Sequence, residues 1–66
     1  SVEKLQQAGE EYEEARSHLN LAQLYAVQGK TTQMEAELAL CEEVFIRLDA
    51  ALDLQEIADL RANIRV

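Results

Sequence analysis

The chain contains no proline, two glycines and one cysteine among its 66 residues. Without proline, and almost without glycine, few positions force the backbone to break. The dominant residues, Ala, Leu, Glu and Gln, favour helix. No stretch alternates apolar and polar residues for long enough to make a strand. The lone Cys41 excludes an internal disulfide, and the lone His18 leaves no second imidazole for a self-contained zinc site. Basic residues are also scarce, 6 against 13 acidic, for a net charge of −7. A nucleic-acid backbone and an anionic membrane both need clustered Lys and Arg, so neither is expected as the partner. No apolar run approaches the length of a membrane span, and Ser1-Val2-Glu3-Lys4 does not open like a secretory signal. The expected location is cytoplasmic. With no initiator Met at its start, the chain is expected to be a fragment of a longer protein.

What is present reads as an acidic all-α chain. Apolar residues make up 48% of it, too many for a disordered acidic tail. Its length allows one domain, spanning 1–66. A domain this short buries only about 60% of the surface its unfolded chain exposes. With a disulfide and a metal set aside, the remaining source of stability is another chain, or more of this one.

The glycines punctuate the reading. Gly9 is expected to close a short amphipathic run, Val2-Leu5-Ala8, because glycine tolerates the left-handed conformation just past a helix end. Glu10, Glu11, Glu13 and Glu14 would then occupy a first turn, where carboxylates suit the helix dipole. From Tyr12 to Gln28, apolar residues at three- and four-residue steps mark a helix that Gly29 ends. A second helix is expected from about Thr32 to Leu48, capped by Thr31 or Thr32. Its inward set is Met34, Leu38, Cys41, Val44, Phe45 and Leu48, with Glu43 and Arg47 as a surface pair. Nothing forces a break between Asp49 and Asp53. A tight turn near Asp49 or Ala50, with Asp53 as a cap, and a continuous or kinked helix both remain open. Leu54, Ile57, Leu60 and Ile64 mark a final helix, with Arg61 and Arg65 at its negative end.

His18, Leu21, Ala22 and Tyr25 follow the spacing aromatic-x2-Leu-Gly-x2-Tyr, with His for the aromatic and Ala for Gly. Gly29 falls at the turn, Met34 and Leu38 take the Ala-x3-Phe positions, and Cys41 takes the next small buried one. Over residues 15–48 the chain resembles a tetratricopeptide (TPR) repeat, of the kind found in bacterial signalling and transcription regulators. It departs from the pattern at Met34, larger than the usual Ala, and at Ile46, which replaces the terminal Pro. Ala15, Leu21, Ala22, Leu24 and Ala26 line up with Ala51, Ile57, Ala58, Leu60 and Ala62 at an offset of 36. The last helix then reads as the first half of a further repeat. The resemblance implies an antiparallel helical hairpin plus a C-terminal helix. It also implies a concave face on which Arg16, Leu19, Asn20, Gln23 and Val27 would line a groove.

No Gly-rich phosphate loop, nucleophile elbow or HExxH occurs, so catalysis has no apparatus, and no cofactor, metal or small-molecule ligand is expected. His18 reads as a packed histidine, because ligands come in clusters. Cys41, beside Glu42 and Glu43, reads as a small apolar filler. The four early glutamates fan outwards from a helix instead of converging on a cation. Two functions remain. The first is a non-catalytic scaffold module of a regulatory or signalling protein that dimerises through Leu54, Ile57, Leu60 and Ile64, with Leu5 and Ala8 at the other end. Neighbouring repeats of a parent chain could cover the same faces. The second is a groove for a different protein or peptide, centred on Arg16, Asn20 and Gln23.

Overall fold

The computed structural model describes residues 2–63, which form three α-helices: α1 (Val2–Val27), α2 (Thr31–Arg47) and α3 (Ala51–Asn63). α1 and α2 pair as an antiparallel hairpin, and α3 folds back along both. No strand occurs among the described residues. The fold is all-α, a helical hairpin plus a C-terminal helix.

α1 runs straight through Gly9, which corrects the expected break there. One glycine inside a helix costs about 1 kcal/mol relative to alanine, too little to stop a long run of good helix formers. A Cβ at Gly9 would meet nothing within 4 Å, so packing does not require glycine there either. Glu10, Glu11, Glu13 and Glu14 therefore lie mid-helix and not in a first turn. Gly29 does end α1. Its φ is 75°, its N–H donates to the Ala26 carbonyl, and the Lys30 N–H donates to the Tyr25 carbonyl. That pair of bonds is a Schellman motif, and it satisfies carbonyls that the helix end would leave open.

The same motif closes α2, with Asp49 in place of glycine. Asp49 has φ 57°, its N–H reaches the Ile46 carbonyl, and the Ala50 N–H reaches the Phe45 carbonyl at 2.9 Å. The join between α2 and α3 is thus a tight turn. Aspartate is among the few L-residues that adopt this conformation with tolerable strain. The residue at the N-cap of α2 is Lys30, which makes no side-chain capping bond, so neither Thr31 nor Thr32 caps the helix. Asp53 is not a cap either. It sits inside α3 and turns towards α1.

The core consists of Ala15, Leu19 and Ala22 from α1, Met34, Leu38, Cys41 and Phe45 from α2, and Ile57 from α3. Alanine and cysteine leave room for Leu19, Leu38 and Phe45 to fit between the helices, the large-against-small alternation that fills a core without voids. The inward set expected for the second helix is the one found, with Val44 and Leu48 half-buried at its margins. α3 contributes one fully buried apolar side chain, with Leu54 and Leu60 packed at the edge of the cluster.

Candidate functional site

Two groups of charged side chains hold α3 to the hairpin. On the α1 side, Arg16 Nη1 donates to Asp53 Oδ1 and to Glu56 Oε2, both at 2.8 Å. The Tyr12 hydroxyl donates to the same Asp53 oxygen at 3.1 Å. Asp53 is only 8% exposed, and a buried carboxylate needs such partners. The hydrogen bond to Asp53, followed by burial and the Asp53 charge, raises the pKa of Tyr12 above its ordinary value. Arg16 is pushed up too, first by its bond to Glu56 and also by Asp53. On the α2 side, Arg61 donates through Nε to Glu35 at 3.1 Å and through Nη1 to Glu42 at 2.9 Å. Its pKa is raised by those two bonds, that to Glu42 foremost.

On the opposite flank of the hairpin, His18 Nδ1 bonds Glu37 Oε1, and Arg47 pairs with Glu11 across α1 and α2. Arg47 therefore reaches across the hairpin and does not pair with Glu43 along its own helix. Between these bonds lies an open groove of about 290 Å³, lined by Ala15, Leu40 and Val44 together with Glu14 and Glu43. Cys41 is fully buried, its thiol facing the Leu38 carbonyl at 3.4 Å, and burial pushes its pKa up. Such a thiol is a poor nucleophile. Among the described residues, no group of three or more His, Cys, Asp or Glu is placed to hold a metal ion. No helix among them is long and apolar enough to cross a membrane.

The residues singled out from the sequence fall in unlike places. Ile57 is 1% exposed and sits in the chain's own core. Leu54 and Leu60 are half-buried against that core, and Ile64 lies outside the described residues. Within one chain Ile57 closes the hairpin, and Leu54 and Leu60 line the edge of that core. Of the groove residues, Asn20 and Gln23 are exposed, while Leu19 is fully buried and Arg16 is held by two carboxylates. A free cation for a peptide carboxylate is therefore missing from that group.

Sequence reasoning missed the triangle of Tyr12, Arg16 and Asp53. Asp53 and Glu56 stand three residues apart on α3, and Tyr12 and Arg16 four apart on α1, but only folding brings the two pairs together; nothing local says which helix the acidic pair will meet. Of the apolar side chains the fold leaves out, the sequence pointed to Leu5 as part of an association face but not to Leu52. Leu5 is 76% exposed, on a stretch of α1 that projects past the end of α2, and Leu52 is 84% exposed on α3. Compared with protein-family models, curated proteins and solved structures, the chain matches none.

Proposed function

We propose that the chain is a non-catalytic protein–protein interaction module of TPR-like build whose first partner is a second copy of itself. The observation that carries this reading is the apolar surface remaining after the core has closed. Val2, Leu5 and Leu52 are each at least three-quarters exposed, while only eight of the described residues are buried apolar ones. A molecule this small gains most by covering such residues with another chain. Two-fold pairing is the commonest way for identical chains to do so. In this reading the module joins or orients the regulatory domains of a longer cytoplasmic protein. A groove for a different partner is the alternative, supported by the exposure of Asn20 and Gln23 alone.

The test is solution mass by light scattering after size exclusion, over a wide concentration range, with helicity followed in parallel. A dimer whose population rises with concentration supports self-association. A folded monomer at every concentration overturns it and moves the search to Asn20 and Gln23.

A further inference from the structure

Two helical stripes face each other across the hairpin, and the turn at Asp49 cuts the second of them short. Along α1, Leu5, Ala8, Tyr12, Ala15, Leu19 and Ala22 alternate steps of three and four. Along α2 and beyond, Met34, Leu38, Cys41, Phe45, Leu48 and Leu52 do the same. This is the seam of a paired helical hairpin. Its register is visible where the Tyr12 and Phe45 rings meet, with centroids 5.8 Å apart. Seven residues back along α1 from Tyr12 is Leu5, and seven residues on from Phe45 is Leu52. In the bent chain these two are among the most exposed apolar side chains. If α2 continued as helix through Asp49, they would stand opposite each other, and the projecting start of α1 would be covered.

The join permits this. Asp49-Ala50-Ala51-Leu52 contains neither Gly nor Pro, and the turn holds a non-glycine residue at φ 57° that a continuous helix would release. Straightening has a consequence for α3. Ile57, now 1% exposed, would leave its seat in the core together with half-buried Leu54 and Leu60. Asp53, Glu56 and Arg61 would leave their partners Arg16, Glu35 and Glu42. A second copy in the same state has that seat empty and those partners unpaired. We propose that two chains straighten at Asp49 and exchange α3, each placing Ile57 and the Asp53–Glu56–Arg61 charges on the hairpin of the other. The occupant of the vacated face is thus the α3 of a second copy. This inference rests on the self-association reading and specifies how it occurs.

The experiment measures the distance within one chain between labels on the exposed positions Gln33 and Ala62, after substitution to cysteine in a Cys41→Ala background. Labelled chains are mixed with excess unlabelled chains, and mass is measured in parallel. In the bent chain the neighbouring Glu35 and Arg61 touch. In a continuous helix the labels are about 43 Å apart. Exchange predicts a dimer with the long distance. Asp49→Gly, which relieves the turn, should weaken that dimer about tenfold or more. Leu52→Gln should weaken it too while leaving the bent monomer folded, and Asp49→Ala should strengthen it. A dimer that keeps the short distance overturns exchange and leaves self-association standing. A long distance in a monomer also overturns exchange. A monomer with the short distance at every concentration, Asp49→Ala included, overturns both.

Discussion

Asp53 is the residue on which α3's attachment to α1 turns. Its carboxylate accepts from Tyr12 and Arg16 while nearly hidden from water, so losing it removes two bonds between α3 and α1 and leaves Arg16 with Glu56 alone. The bond from Tyr12 makes part of the stability depend on pH. The folded chain holds the Tyr12 proton more tightly than the unfolded chain does, so that contribution is complete below about pH 10 and is lost as pH rises through the elevated folded value. Cys41 acts in the same direction from about pH 9 upward, because burial favours its neutral thiol. Urea midpoints measured between pH 8 and pH 11 should therefore fall. In Tyr12→Phe the upper part of that fall should be smaller. An unchanged profile in Tyr12→Phe would show that the hydroxyl does not couple to folding.

At the scale of the element, the two helix ends that frame α2 differ in quality. Its C-terminus is closed by the Schellman bonds at Asp49, whereas its N-terminus begins at Lys30 with no side-chain cap. A lysine there also places positive charge at the positive end of the helix dipole. Lys30→Asp should stabilise the protein by about 1 kcal/mol, read as a rise of a few degrees in the thermal midpoint. No rise would mean that the turn geometry keeps the carboxylate away from the first free N–H groups. Gly9 is the opposite case. A residue that often ends helices sits within one, because the favourable residues on either side outweigh its cost.

At the scale of the molecule, the attachment of α3 is thin. Among the described residues the hairpin supplies seven of the eight in the core, and α3 adds Ile57 with two ion-paired clusters whose members are mostly half-exposed. Half-exposed ion pairs contribute at most about 1 kcal/mol each. The apolar anchor is therefore the larger share. Ile57→Ala should destabilise the folded chain by about 2–5 kcal/mol. Amide exchange should show α3 losing protection before the hairpin does. Equal loss of protection in all three helices would mean that the three unfold as one unit.

The helices and their inward faces were legible in the sequence, because helix propensity and the three-and-four spacing are local properties. Met34, Leu38, Cys41 and Phe45 could be placed in the core from their spacing alone, and Gly29 as a helix end from its chemistry. The turn at Asp49 was not decidable locally. Asp49-Ala50-Ala51 contains no residue that forces a break, and the contacts α3 makes after turning back are long-range. Nor could spacing separate a stripe that closes its own core from one that meets a second molecule. Leu54, Ile57 and Leu60 look the same from the sequence in either role. Tertiary packing decided that Ile57 goes inward, that Arg16 is neutralised by Asp53 and Glu56, and that Leu5 and Leu52 stay in water. Each of those outcomes depends on which helix lies beside which, and the order of residues along one helix carries no record of that.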